Sequence, residues 1–145
     1  MLKIVKISAI DTYSIRISVL RKEKSIYLCP FDGDNLSTTF HLGSFLNDNL
    51  VGIISVFKAQ NVLFESENQF QIRGMAVLNE NQNQGIGKFL VQEAEANIKK
   101  ENGNLIWMNA RKGAIEFYLK LGYFVQGDAF EIEEIGTHYK MMKQL

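Results

Sequence analysis

Short apolar runs bounded by turn residues occur at five places in the first three quarters of the chain. Such runs predict strands, here Leu2–Ile7, "TTFHLGSFL", "LVGIISVFKAQ", "QFQIRGMAVL" and "LIWMN". Only "NDN" separates the second run from the third, which predicts a β-hairpin. The run "LIWMN" shows no alternation of apolar and polar residues, so we expect this fifth strand to be buried on both faces.

Helical spacing of apolar residues appears in three other segments. Ile15, Val19 and Leu20 predict a helix from Asp11 to about Leu20, with Asp11 as its cap, followed by a loop at "CPFDGDNLSTT". A second helix is predicted to continue to about Lys100 and to end at Gly103. Its apolar stripe consists of Ile86, Leu90, Ala94 and Ile98. The run "AIEFYLKLG" predicts a short third helix closed by Gly122.

The C-terminal segment predicts a closing hairpin. Its arms are "YFVQGDAFEI" and "HYKMMK", and "EEIG" forms the turn between them. The resulting order of elements is β, α, β, β, β, α, β, α, β, β. This order predicts an α/β fold in which a mixed sheet is flanked by helices, and residues 1–145 form a single domain.

Charge and composition exclude several classes of partner. Sixteen basic and sixteen acidic residues give a formal net charge of zero, so we expect no nucleic-acid binding and no attraction to an anionic membrane. No apolar stretch approaches the roughly 20 residues that span a bilayer. The lone Cys29 cannot form an internal disulfide, and the N-terminus does not resemble a signal peptide. We therefore expect a cytoplasmic protein.

Two glycines, Gly85 and Gly87, lie at the predicted start of the second helix. The start of a helix carries unpaired N–H groups and the positive end of the helix dipole, so it attracts phosphate. Glycines allow close approach, and Lys88 adds a positive charge. These residues alone are equally consistent with a flexible turn between strand and helix.

Two common phosphate-binding motifs do not fit the spacing. A Walker loop needs Gly where this chain has Gln82 and Ser or Thr where it has Phe89. A dinucleotide-binding fingerprint needs a third glycine at Leu90 and belongs in the first βα unit.

The loop does match the pattern Gln/Arg-x-x-Gly-x-Gly/Ala, formed here by Gln82, Asn83, Gln84, Gly85, Ile86 and Gly87. With "RGMAVLNEN" before it and "NARKGAIEFYLKLGY" after it, the chain resembles a GNAT-family N-acetyltransferase. The resemblance implies a sheet of about seven strands with the fourth and fifth splayed apart. It also implies acetyl-CoA as the acetyl-donating cosubstrate, with its pyrophosphate on this loop and Lys88 nearby, and no metal.

The resemblance assigns further roles on both sides of the loop. A bulge in the fourth strand would suit Gly74, and the pantetheine arm would pair with the backbone of residues Met75, Ala76 and Val77. Tyr118 corresponds to the tyrosine that protonates the departing thiolate, whereas its residue type alone favours a core position.

Two assignments stay open at the sequence level. Many family members have an Asn where this chain has Arg111, and Asn109 lies two residues earlier, so either residue is a candidate for contacting coenzyme A. Gln71 and Arg73 occupy the region where some relatives carry a glutamate base, and neither is a base at neutral pH. The candidates for the base are His138, Glu133, Glu134, His41 and a chain of water molecules.

The leading hypothesis is therefore an enzyme that transfers acetyl from acetyl-CoA to a primary amine by direct attack. The alternative is a coenzyme-A-binding sensor or partner-binding domain without catalysis, which the missing base on the fourth strand favours. The acceptor is a small molecule or a peptide, and we expect it to bind between the first helix, the loop that follows and the closing hairpin. The chain is a monomer or a homodimer.

Overall fold

The computed structural model describes residues 1–21, 29–133 and 135–145 of the chain. Its strands are β1 (Leu2–Ile7), β2 (Phe40–Leu46), β3 (Asn49–Lys58), β4 (Gln69–Val77), β5 (Leu105–Arg111), β6 (Phe124–Val125), β7 (Phe130–Ile132) and β8 (Gly136–Gln144). Within the described ranges these eight strands form one sheet in the order β1-β2-β3-β4-β5-β8-β6, with β7 also paired to β8. Every pair is antiparallel except β4 with β5. The predicted mixed sheet is confirmed; it is largely antiparallel and has eight strands, where about seven were expected.

The hairpin of β2 and β3 has the predicted position and a two-residue turn. Asn47 (φ 50°) and Asp48 (φ 69°) both adopt positive φ angles, as a type I′ turn requires. Asn and Asp tolerate this conformation better than other residues with side chains, which explains why "NDN" predicts the turn correctly.

Strands β4 and β5 separate after a short parallel contact. They pair only from Gln69↔Leu105 to Gln71↔Trp107, and the described part of β4 beyond Gln71 pairs with no strand on that side. The register of β4 against β3 shifts at Gly74, whose φ angle is 64°. An extra residue with positive φ is the signature of a β-bulge, so the predicted bulge and splay are both confirmed.

The first helical segment begins earlier than predicted and is irregular. It consists of a 3₁₀ turn (Ile10–Thr12), a single α-helical turn α1 (Tyr13–Ile15) and a π-helical turn (Arg16–Arg21). Asp11 takes part in capping this helix, as predicted, but it is not the N-cap residue. The Ser8 N–H donates to Asp11 Oδ2 (3.1 Å) and the Asp11 N–H donates to Ser8 Oγ (3.4 Å), so Asp11 completes a capping box from inside the first turn.

Helix α2 (Ile86–Lys100) has the predicted range and stripe, but Asn102 rather than Gly103 makes the terminal turn. Asn102 has a φ angle of 62°, and the Gly103 N–H donates to Ile98 O (2.9 Å), which is a Schellman arrangement. Glycine is needed at 103 for another reason. A Cβ there would overlap Ile98 Cγ2 and lie 2.8 Å from Phe70 Cδ1.

The C-terminal segment confirms the hairpin of β7 and β8 but not a continuous first arm. Gly127 has a φ angle of 84°, which breaks the extended backbone between β6 and β7. Helix α3 (Ile115–Lys120) precedes this segment, and Gly122 closes it at a φ angle of 93°, as predicted.

The helices lie on opposite faces of the sheet. Helices α2 and α3 cover one face, where Leu90, Ile98 and Tyr118 join the main core. Ile15 of the first helical segment packs on the other face against Ile53 and Ala76. Strand β5 is buried over most of its length, as its continuous apolar run predicts. No helix in the described ranges is long and apolar enough to cross a membrane.

Candidate active site

A cavity of about 270 Å³ lies where β4 and β5 separate. Its lining comprises residues 71–75 of β4, residues 108–111 of β5, Ala114 and Tyr118 near α3, Ile132, Ile135 and His138 of the closing hairpin, and Leu20 and Phe31. The first helical segment, the loop after Cys29 and the closing hairpin therefore converge on one space. The splay also leaves the backbone of residues 72–77 without a strand partner on its β5 side, among the residues that the structure describes.

The loop before α2 presents a row of unpaired backbone donors. In the described structure no protein acceptor takes the N–H groups of residues 83–88, and the first helical bond runs from Phe89 N to Gly85 O (3.1 Å). Positive φ angles at Asn83 (63°) and Gly85 (82°) bend the backbone there. Gln84 and Lys88 are exposed beside it. Consecutive free N–H groups at the start of a 15-residue helix suit an anion such as pyrophosphate.

The two glycines of this loop serve different purposes. Gly85 is needed for its backbone, because its φ angle of 82° strains residues with side chains. At Gly87 the packing is tight, because a Cβ there would lie 3.2 Å from Phe117 Cζ and the Phe117 ring would have to move slightly. Gln82 supports the loop, since its Nε2 donates to Val77 O (3.0 Å) and Asn79 Oδ1 (3.2 Å).

Tyr118 lines the cavity from α3 and is 5% exposed. Its ring makes edge contacts with Phe117 and Tyr123, at centroid distances of 5.0 and 5.6 Å. No hydrogen bond joins its hydroxyl to any described residue. Burial raises the pKa of Tyr118 well above its usual value, so this hydroxyl keeps its proton at neutral pH.

His138 lies on β8 at the same cavity, and its orientation is set by a backbone carbonyl. Its Nδ1–H donates to Gly136 O (2.8 Å), and its ring lies 5.9 Å from the Phe130 ring. Because a carbonyl only accepts hydrogen bonds, the proton of the neutral imidazole stays on Nδ1 and Nε2 keeps its lone pair. His138 therefore carries a proton-accepting nitrogen beside the gap between β4 and β5.

Asn109 and Arg111 both line the cavity, and both already contact the protein. Asn109 Oδ1 accepts from Lys140 Nζ (2.8 Å), and Lys140 lies near the rings of Trp107 and Phe130 at 5.1 and 5.3 Å. Burial lowers the pKa of Lys140. Arg111 Nη2 donates to Leu20 O (3.0 Å), so this side chain joins β5 to the first helical segment.

The other candidates for a base are placed differently. Gln71 and Arg73 line the cavity, but neither provides a carboxylate. His41 is not part of the lining, and both of its ring nitrogens are hydrogen-bonded, Nδ1 to Ser55 Oγ (2.7 Å) and Nε2 to Asp34 O (2.9 Å). Glu133 is exposed in the turn, and Glu134 lies outside the described residues.

Sequence reasoning missed a buried ionic network behind the cavity. Arg16 is fully buried and donates to both carboxylate oxygens of Asp34 (2.7 and 2.9 Å), to Ser55 Oγ (2.9 Å) and to Cys29 O (2.8 Å). Burial alone would raise the pKa of Asp34, but the bonds from Arg16 and from the Phe31 N–H outweigh it and lower that pKa. The sequence held only a weak indication that Arg16 is buried, namely its position on the same helical face as Val19 and Leu20.

Comparisons with known proteins agree with this geometry. The profile of the Acetyltransferase (GNAT) family matches residues 9–123. An uncharacterized N-acetyltransferase of Bacillus subtilis (strain 168), YitI, is 35% identical over 145 residues, which cover 100% of this chain and 97% of that protein.

Two solved structures share the fold at low identity. An aminoglycoside 6'-N-acetyltransferase complexed with coenzyme A has a TM-score of 0.74 at 16% identity, covering 98% of this chain and 96% of that one. Ard1 from Thermoplasma volcanium has a TM-score of 0.77 at 18% identity, covering 99% and 97%. Together with the family match over most of the chain, the splayed sheet and the loop before α2 identify this protein as a member of the GNAT acetyltransferase family and as an acyltransferase.

Proposed function

We propose that the protein transfers an acetyl group from acetyl-CoA to the nitrogen of a primary amine by direct attack. The observation that carries this proposal is the shared cavity. A proton-accepting nitrogen of His138 and the protonated hydroxyl of Tyr118 line one space where β4 and β5 separate. An enzyme of this kind needs one group to take a proton from the amine and another to give a proton to the leaving group.

The residues around the cavity fit acetyl-CoA, which supplies the acetyl group as a thioester and leaves as a thiol. The free N–H groups of residues 83–88 would hold its pyrophosphate, with the Lys88 charge nearby. The edge of β4 at Met75, Ala76 and Val77 has, among the described residues, no strand partner on its β5 side and would pair with the pantetheine arm, although Val77 O already accepts from Gln82 Nε2. Asn109 and Arg111 are proposed contacts because both line the cavity.

His138 and Tyr118 have complementary proposed roles. Nε2 of His138 takes the proton that the ammonium group of the acceptor must lose, because only a neutral amine is nucleophilic. The Tyr118 hydroxyl donates a proton at the point where the thiolate departs. The raised pKa keeps Tyr118 protonated until the thiolate departs but also makes it a weaker acid. The same dry surroundings raise the proton affinity of the thiolate, which favours the transfer.

The alternative function is a coenzyme-A-binding sensor or partner-binding domain. The lining of β4 favours it, because Gln71 and Arg73 stand where a carboxylate base would be useful. The two functions predict the same binding of acetyl-CoA but differ in turnover.

The deciding experiment is incubation of the purified protein with acetyl-CoA and a library of primary amines. Mass spectrometry would detect acetylated amines, and a thiol reagent would measure the release of coenzyme A. We expect acetylation of at least one amine class, and the double variant Tyr118→Phe, His138→Gln provides the matched inactive control. Binding of acetyl-CoA without turnover of any amine would favour the sensor instead.

A further inference from the structure

Four apolar side chains form what we term the acceptor wall: Leu20, Phe31, Ile132 and Ile135. They come from the first helical segment, the loop after Cys29 and the closing hairpin, and all four line the cavity. None of them is fully buried, and Ile135 is 37% exposed. An apolar surface gathered from three separate segments around a cavity gains free energy when an apolar ligand covers it.

Phe31 is the most firmly placed member of the acceptor wall. Its N–H donates to Asp34 Oδ2 (2.8 Å), the oxygen that also accepts from Arg16 Nη1 (2.7 Å). The Arg16 guanidinium lies 3.7 Å from the centroid of its ring. Its ring also occupies the space where a Cβ on Gly74 would lie, at 2.8 Å from Phe31 Cε2. The buried ion pair and the bulge in β4 thus fix this ring at the cavity.

The cavity also has charged side chains at its surface. Arg73 and Arg111 line it, and the Arg73 guanidinium lies 4.6 Å from the centroid of the Phe31 ring. No carboxylate occurs among the lining residues in the described part of the chain. Where the acceptor contacts the acceptor wall, an apolar body is favoured over a second ammonium group.

We propose that the acceptor is a primary amine on an aryl or branched aliphatic body, that this body packs against the acceptor wall, and that Phe31 is a specificity-determining residue. The inference rests on the proposed function, since it places the reacting amine beside His138. Arg16 and Asp34 act as positioning residues because they hold Phe31 and do not line the cavity themselves.

The test compares phenethylamine, an aryl monoamine, with putrescine, an aliphatic diamine. We expect kcat/KM with acetyl-CoA to be at least tenfold higher for phenethylamine. Phe31→Ala should lower kcat/KM for phenethylamine at least tenfold, mainly through KM, and leave the Kd for acetyl-CoA unchanged. Phe31→Leu should retain most of the efficiency because it keeps an apolar contact. Phe124→Ala, which removes an exposed ring on β6, is the matched control and should behave as the unaltered protein.

Preference for putrescine, or a Phe31→Ala variant as efficient as the unaltered enzyme on phenethylamine, would overturn the inference while leaving acetyl transfer intact. If neither amine is acetylated, the proposed transfer to these amines is wrong. The inference about the acceptor wall is then tested separately, by measuring whether phenethylamine binds. Calorimetry would then titrate phenethylamine into the protein saturated with coenzyme A. Binding that Phe31→Ala abolishes would support the acceptor wall, and no binding to the unaltered protein would overturn it.

Discussion

At the scale of single residues, two side chains of the same type differ in reactivity because their hydrogen-bond partners differ. His41 and His138 are both 4% exposed. His41 uses both ring nitrogens within a buried network, whereas His138 bonds a carbonyl through Nδ1 and lines the cavity. The sequence could name both histidines as candidates, but it could not separate them, because the difference lies in hydrogen-bond partners brought together by strand pairing.

This difference gives a prediction for the base. His138→Gln should lower kcat/KM for the acceptor about 10²-fold and leave the Kd for acetyl-CoA unchanged. A base must be unprotonated to act, so the fall in activity on the acidic side of the pH–rate profile should also disappear. The pH dependence of kcat/KM measures this directly. His41→Gln is the control, and it should lower thermal stability without changing the shape of that profile. If the acidic side of the pH–rate profile is unchanged in His138→Gln, a water molecule rather than His138 accepts the proton.

Tyr118 and Tyr123 form a second matched pair. Tyr118→Phe should lower kcat about 10²-fold when chemistry limits the rate, because it removes the proposed proton donor and keeps the ring. Tyr123 donates its hydroxyl to Glu95 Oε2 (2.7 Å), away from the cavity lining, so Tyr123→Phe should lower stability and retain kcat. Single-turnover kinetics with a saturating amine would make the comparison. Equal kcat values for the two variants would contradict the acid role of Tyr118.

At the scale of elements, local patterns were reliable and the ends of elements were not. The four-residue stripe of α2 and the "NDN" turn predicted a helix and a hairpin that the structure contains. Asp11 was correctly named as a capping residue, but the sequence pattern did not reveal that it caps from inside the first turn together with Ser8. The long strand after Tyr123 was interrupted because Gly127 adopts a positive φ angle, which an apolar pattern does not reveal.

The loop before α2 yields a prediction that separates charge from strain. Gly85→Asp places a carboxylate beside the free N–H groups and should weaken acetyl-CoA binding at least tenfold, or about 1.4 kcal/mol. A substitution at a φ angle of 82° also strains the backbone, so the matched control is Gly85→Asn. Asn has nearly the same shape and tolerates this conformation comparably, but it carries no charge. Calorimetric affinities that are equal for the two variants would argue against an anion at this loop.

At the scale of the whole molecule, the cavity could be predicted only through the family resemblance. That resemblance indicated the splay of β4 and β5 and the three segments that meet opposite it, and the structure confirms this convergence. The particular side chains of the acceptor wall were not predictable, because a sequence pattern does not show which residues of three separate segments point into one cavity. The sequence also did not predict the ion pair of Arg16 and Asp34, which connects the first helical segment to the loop after Cys29.

This ion pair leads to a prediction about global stability. Removing one partner of a buried pair leaves the other charge uncompensated, so Asp34→Asn should lower the free energy of unfolding at pH 7 by about 3–5 kcal/mol. The folded-state pKa of Asp34 lies below its usual value of 3.8. The stabilisation is therefore complete above the unfolded-state pKa and is lost as the pH falls through the folded-state pKa. The difference between the unaltered protein and Asp34→Asn should shrink accordingly as the pH is lowered below about 4.

Urea unfolding of both proteins across this pH range would measure that difference, and other carboxyl groups largely cancel because both proteins contain them. Asp32→Asn is the control: Asp32 lies in the same loop but is exposed, so its replacement should give no comparable pH-dependent difference. The difference in the free energy of unfolding between the unaltered protein and Asp34→Asn could instead stay constant down to pH values well below the usual pKa of an aspartate. That result would mean that shape and hydrogen bonding, rather than charge, hold the loop. Phe31 would then be positioned by packing alone, and Arg16 would lose its electrostatic part in forming the acceptor wall.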